Sequence, residues 1–196
     1  MFKVAYSVMV AVIVPVYWVE LGPTNFLWFS DIALFSVLIA LWLESRLLAS
    51  TMAVAVLVLE LSWVLDFFVG GQLTQLAAYM FDGDRNHIAV LSGLFHFVLP
   101  ATLLYLLWQW GYDSRALGLQ IVIATVVLPV TYLLTSPDDN INWVYGLAVP
   151  QQSMPPWLYL ILLWLGYVLV VYLPSHWIFR RLFTKGEKGD TDNLIT

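Results

Sequence analysis

The chain has no cysteine, which excludes disulfides, zinc–thiolate sites, iron–sulfur clusters and a thiol nucleophile. It is also poor in charge. Asp, Glu, Lys and Arg make up 11% of its 196 residues, where a water-soluble domain carries about a quarter. A surface so sparse in charge cannot face water on all sides. No basic run suits a phosphate backbone, so a nucleic-acid partner is not expected. No haem or dinucleotide motif is present either. The net charge of −5 says little about partners, because the charges are segregated along the chain.

What the chain has in excess is apolar length: 61% of its residues are hydrophobic and its mean hydropathy is +0.84. A helix needs about 20 apolar residues to cross a ~30 Å hydrocarbon core. Six runs meet or approach that length: Val4–Leu21, Phe26–Leu43, Leu47–Val69, Ile88–Trp108, Leu117–Thr135 and Trp157–Pro174. Several are continuous, without the alternation of a barrel strand. The first is longer than a signal-peptide core and lacks a small-x-small cleavage site before the next run, so it reads as a retained span. The expected fold is all-α: a polytopic transmembrane bundle of six spans forming one domain over 1–183, with a disordered cytoplasmic tail over 184–196.

Pro15, Pro100 and Pro129 fall inside spans, where membrane helices tolerate them as kinks. Thr102 and Thr131 each follow a proline by two residues, where a hydroxyl could satisfy a freed carbonyl. The short echo they belong to is not matched by its flanks and does not make a repeat.

Orientation follows from Lys and Arg. Lys3, Arg46, Arg115, Arg180, Arg181, Lys185 and Lys188 fall on one side of the six-span arrangement, and only Arg85 on the other. Both termini are therefore expected in the cytoplasm. On the outer side come a tight turn at Gly22-Pro23-Thr24-Asn25, then Gly70–His87, then Ser136–Pro156. In the second, Leu73, Leu76, Ala77 and Met80 share a helical face that suits a segment lying in the interface. The third is rich in aromatics and proline, as an interfacial loop or a lid would be.

Ionisable side chains within spans cost at least ~2.5 kcal/mol near the bilayer centre and often mark function. The chain has Asp31 in its second span, Glu60 and Asp66 in its third, and His96 in its fourth, with Glu20 at the outer end of the first. At ~1.5 Å per residue all of them fall in the outer half, with Ser30, Asn25, Tyr132, Thr135, Asn140 and Asn142. The cytoplasmic half is expected to hold almost no buried polar side chains. Each residue also has a purely structural reading. Glu20 and Asp66 could reach the interface, Asp31 could be a first-turn carboxylate favoured by the helix dipole, and His96 could bond Ser92 one turn earlier. Glu60 could be a protonated acid bonded to a neighbouring helix. His87 and His176 are expected to be solvated.

Three chemistries could use this layer. Asp31, Glu60 and His96 could hold a divalent metal whose bound water is a nucleophile. His96 could be a general base, oriented by Asp31 or Glu60, that activates Ser30 or water against a lipid ester. A protonatable Glu60 could couple proton movement to transport. The candidate catalytic residues are His96, Asp31, Glu60 and Ser30; the candidate substrate-binding residues are Asn25, Asp66, Asn140, Asn142 and Trp143.

Five stretches carry a resemblance: Gly22-Pro23-Thr24-Asn25-Phe26-Leu27-Trp28-Phe29-Ser30-Asp31-Ile32-Ala33-Leu34, Phe95-His96-Phe97-Val98-Leu99-Pro100, Trp110-Gly111-Tyr112-Asp113-Ser114-Arg115, Asn140-Ile141-Asn142-Trp143-Val144-Tyr145-Gly146 and Tyr172-Leu173-Pro174-Ser175-His176. Together they resemble uncharacterised bacterial multi-pass proteins labelled only "membrane-associated protein". That resemblance spans nearly the whole chain and implies a plasma (inner) membrane location without an activity. A fainter one is to the androgen-induced type of intramembrane threonine hydrolases, which cleave branched fatty-acid esters. Phe26-Leu27-Trp28-Phe29-Ser30-Asp31 is similar in frame to the stretch bearing that family's nucleophile, and His96 precedes Pro100, slightly offset from the family's His. The nucleophilic Thr, however, falls on Trp28, which cannot do its work. Ser30 is ~200° further round the helix, so the resemblance implies the architecture and not the mechanism.

Two classes of function follow, and a third is weaker. The first is an integral membrane protein with an outer-half polar site that acts on lipid as a hydrolase or transferase. The second is a non-enzymatic assembly or structural subunit whose buried polar groups join helices, as a homo-oligomer or within a membrane-protein complex. The third is a small proton-coupled transporter, for which neither an inverted repeat nor a pair of half-helices is visible.

Overall fold

The computed structural model describes residues 2–81, 87–147 and 149–184. Arg85, Lys185, Lys188 and the tail expected from 185 onward lie outside the described residues. Six long helices run in sequence: α1 (Phe2–Glu20), α2 (Phe29–Leu43), α3 (Arg46–Phe68), α4 (His87–Trp110), α5 (Ala116–Leu134) and α6 (Pro156–Phe183). There is no strand among the described residues. All but α2 are long and apolar enough to cross a membrane, and α2, with 15 residues, falls short.

The second expected span is shortened for a local reason. Gly22 takes φ +80° and Pro23 opens a 3-10 turn over Pro23–Leu27, so the α-helix begins only at Phe29. Asp31 thus stands in the first turn of α2, shallower along its helix than a start at Phe26 implies. It is nonetheless 2% exposed, because the loop after α5 covers this end of the bundle. The sixth helix is longer than expected and continues past Pro174 to Phe183. A π-helical segment at Tyr167–Tyr172 precedes the proline; such widened turns absorb an interruption in the regular bonding ladder without ending the helix.

α3 is the central helix. Residues Ala49 through Leu57 are buried without a break, so every side of this stretch meets protein, and its small residues let neighbouring helices approach closely. α1 buries one stripe, Tyr6, Val10, Ile13 and Tyr17, at the spacing of a single helical face. The Tyr6 hydroxyl donates to the Leu34 carbonyl at 3.2 Å, tying α1 to α2. Outside the core, large apolar side chains stand in the open on every helix, for example Val19, Leu43, Val58, Leu104, Leu133 and Val170. A surface of that kind is solvated by lipid chains.

The end of the bundle holding Lys3, Arg46, Arg115 and Arg180 is not the apolar half expected. Ser50, Thr51, Thr102, Asp113, Gln120, Ser175 and His176 are all buried there. His176 is 8% exposed instead of solvated, with its Nδ1 2.7 Å from the Tyr112 hydroxyl. The Tyr112 N–H donates to the Phe183 carbonyl, and the Asp113 N–H donates to Ser50 Oγ at 3.0 Å. Arg115 donates through Nε and Nη2 to the two oxygens of Asp113. The α4–α5 turn is therefore pinned to α3 and to the end of α6. Thr131 does not bond a freed carbonyl as expected: its hydroxyl is buried without a partner among the described residues.

Candidate functional site

At the opposite end, a cavity of about 590 Å³ lies among α1, α2, α3, α4 and the loops that cap them. Its position follows from three local structures. The 3-10 turn after Gly22 brings Asn25 and Trp28 to its rim. The stretch after α3 folds back over it and contributes Gln75, Leu76 and Tyr79. The loop between α5 and α6 supplies Asn142 and Trp143 from a turn at Ile141–Trp143.

The loop after α3 is not the interfacial helix that its apolar spacing suggested. Over its described residues, 70–81, it is irregular apart from one 3-10 turn at Ala78–Met80, and Ala77 is fully buried while Leu73 is exposed. The organiser is Asp66, which is also fully buried. Its Oδ1 accepts the N–H groups of Leu73 and Thr74, and its Oδ2 accepts that of Ala77, all within 2.8–2.9 Å. A carboxylate so engaged builds the loop and does not line the cavity. Gly71 makes the fold-back sterically feasible, since a Cβ there would lie 2.6 Å from the Ala78 Cα.

Within the cavity, α3 and α4 each present a turn-spaced set: Glu60 and Trp63 from one, Ser92 and His96 from the other. His96 Nδ1 is 2.7 Å from Glu60 Oε2, with the two side chains 15% and 5% exposed. A carboxylate acceptor places the proton on Nδ1. Nε2 then carries the lone pair, and no partner for it stands among the described residues. The Trp63 ring stacks on the imidazole at 4.5 Å and 20°, which fixes the plane of the ring. Ser92 does not bond His96; its Oγ pairs with the Tyr79 hydroxyl at 2.6 Å. Burial raises the Tyr79 phenol above the ordinary tyrosine range, so it remains a hydroxyl.

Asp31 faces the same space from α2. Asn25 donates to its Oδ2 over a long 3.4 Å, and its Oδ1 is buried with no partner among the described residues. Ser30 also lines the cavity, as does Trp28. Asn142 lines it too, but its amide is committed: Oδ1 accepts the Phe29 N–H at 2.9 Å and Nδ2 donates to the Leu27 carbonyl at 2.7 Å. It caps the start of α2 from more than a hundred residues away, a task local side chains usually perform. Trp143 sits edge-on to Trp28 and parallel to Tyr167. Asn140 lies away from the cavity and holds its own loop, accepting from the Tyr145 N–H and donating to the Gly146 carbonyl.

The structure thus brings His96, Asp31, Glu60, Ser30, Asn25, Asn142 and Trp143 around one cavity, and leaves Asp66 and Asn140 in supporting loops. Glu20 stays exposed near His87, at 3.7 Å. A three-ligand metal site was one expectation. Among the described residues, however, no group of three or more His, Asp or Glu side chains stands at metal-holding spacing, and the Glu60–His96 contact already engages Nδ1. Sequence reasoning missed Trp63, Tyr79 and Tyr17 as walls. The spacing of Glu60 to Trp63 and of Ser92 to His96, three and four residues, was the available signal for the first.

Comparison with protein-family models, with curated proteins and with solved structures finds no match to the chain. The reading of the site rests on its geometry.

Proposed function

We propose that the chain is a six-span membrane protein, with both termini in the cytoplasm of a bacterial inner membrane, whose outer-half cavity performs acid–base chemistry on a membrane lipid. The single observation that carries the chemistry is the Glu60–His96 pair, which holds the imidazole with one nitrogen engaged and the other unpartnered. Glu60 orients the ring and stabilises it when it takes a proton. His96 Nε2 removes a proton from water, or from Ser30, as that oxygen attacks an ester carbonyl, and returns it to the leaving alkoxide. Tyr79 and Ser92 are hydroxyls near enough to the cavity to support a developing oxyanion. The shape suits a lipid: polar groups at one end and apolar helix surfaces beside them. The sixth span is α2, short but packed against α1 and α3, and the location of Lys3, Arg46, Arg115 and Arg180 at the far end supports the orientation.

A second reading is favoured by the same contact: the pair joins α3 to α4, so it could serve only to hold helices in a structural or assembly subunit. The transporter reading is weaker, because Leu57 and Ala53, one and two turns below Glu60 on α3, are fully buried in apolar packing.

Lipid mass spectrometry of cells lacking the protein, complemented with wild type or His96→Ala, tests the enzymatic reading. It expects a lipid species restored by wild type alone. Identical lipids in both complemented strains, at equal protein levels, would favour the structural reading.

A further inference from the structure

The described lining of the cavity is one-sided in charge: Asp31 and Glu60 are its acidic groups, and it holds neither Lys nor Arg. Glu60 has His96 as its partner. Asp31 has none of comparable strength among the described residues: Oδ2 meets only a distant amide, and Oδ1 is buried and unpartnered. A carboxyl oxygen enclosed in this way lacks the donor that buried acceptors ordinarily have. The surrounding walls are aromatic. Trp28, three residues before Asp31, and Trp143 stand at 83° with centroids 6.4 Å apart, making two adjoining sides, and Tyr167 lies parallel to Trp143 at 6.3 Å. Ring faces carry negative potential and attract organic cations, most strongly when the cation is shielded from water.

From these observations we propose that the cavity binds an organic ammonium group, with Asp31 as its counter-ion and Trp28, Trp143 and Tyr167 as its walls. The ammonium could be carried by an amine-bearing lipid headgroup or by a free small amine. The lipid form deepens the proposed lipid-acting function and rests on it; the binding of an ammonium does not. An ammonium supplies the donor or the charge that Asp31 Oδ1 lacks. An anionic headgroup would meet two carboxyl groups there, with His96 already engaged by Glu60.

The test is a titration of the full-length protein in uncharged detergent, read by tryptophan fluorescence. The probes are choline, its neutral isostere 3,3-dimethyl-1-butanol, ethanolamine, lysophosphatidylethanolamine and lysophosphatidylglycerol. Choline or ethanolamine is expected to bind at least about tenfold more tightly than the neutral isostere, the scale of one cation–aromatic or charge contact. Asp31→Asn and, separately, Trp28→Leu should each weaken that binding by about tenfold, whereas Glu44→Gln, beside Lys3 at the far end of the bundle, should leave it intact. The ligand comparison uses wild-type protein, so it stands even if a variant fails to fold. Tighter binding of lysophosphatidylethanolamine than of ethanolamine identifies the lipid as the source, and equal binding identifies the free amine. Equal affinity for choline and its isostere, preference for lysophosphatidylglycerol, or no binding of any ammonium would overturn the proposal. Ammonium binding without lipid turnover would instead defeat the enzymatic reading and leave this one standing.

Discussion

His96 Nδ1 meets Glu60 Oε2 at 2.7 Å across the α3–α4 packing, and Trp63, one turn along α3 from Glu60, stacks on the imidazole at 4.5 Å. One helix therefore supplies both the hydrogen-bond partner and the flat surface that fix the ring. Such a ring is oriented before any substrate arrives, and that is what general base catalysis requires of it.

The cap that Asn142 places on α2 should be measurable. Asn142→Ala removes the acceptor of the Phe29 N–H and the donor to the Leu27 carbonyl, and should cost about 1–2 kcal/mol. Asn142→Asp keeps the acceptor and should cost less. Thermal unfolding in detergent reports the order; equal losses in both variants would contradict the cap.

Two glycines with positive φ should differ in their need for hydrogen as a side chain. At Gly22, φ +80°, an added Cβ meets nothing within 4 Å, so Gly22→Ala should cost only the backbone strain, roughly 1–3 kcal/mol. At Gly71, φ +75°, the Cβ would strike the backbone of Ala78 at 2.6 Å. Gly71→Ala should therefore be clearly the more damaging and should open the loop above the cavity. Proteolysis of that loop with unchanged susceptibility in Gly71→Ala would disprove this.

Asp66 predicts a local effect. In Asp66→Ala the amides of Leu73, Thr74 and Ala77 lose their acceptor, and their hydrogen exchange should quicken by about tenfold or more, while amides in the middle of α3 keep their protection. Exchange that is unchanged at all three would show that the carboxylate does not hold the loop.

How far the sequence went can be seen in these residues. The helices were legible because their apolar runs are long, and the polar layer around the cavity was legible because helix rise converts residue number into depth. Depth placed Asp31, Glu60 and His96 at one level, and the packing of α2, α3 and α4 made them neighbours. Depth could not distinguish a side chain facing the cavity from one bonded to backbone, so Asp66 and Asn140 were grouped with the cavity residues although their carboxyl and amide groups hold loops. The start of α2 was misplaced because Phe26 and Leu27 continue the apolar run, while Gly22 and Pro23 decide the backbone. The buried group around Tyr112 and His176 was hidden for a different reason: its polar residues are spread over α3, the α4–α5 turn and α6, with no local pattern in any of them.

That second group supplies a pH prediction. Hydrogen bonds from Arg115 hold the Asp113 carboxyl below the ordinary aspartate range. A depressed folded-state value means that the stabilisation is complete above the unfolded carboxylate's pKa and is lost as pH falls through the lower folded one. Arg115→Gln should therefore shift acid unfolding to higher pH. An unchanged acid midpoint would rule out a stabilising role for the pair.

The most direct test of the central claim is to give a bacterial lipid extract to purified wild-type protein, Glu60→Gln and His96→Ala, and to follow release of free fatty acid alongside each variant's melting temperature. The account predicts turnover by wild type, a loss of ~10²–10⁴-fold in both variants, and melting temperatures that fall too little to explain the loss. If neither wild type nor variants release acid, and the variants differ only by melting at lower temperature, then Glu60 and His96 hold helices together and the catalytic reading is contradicted.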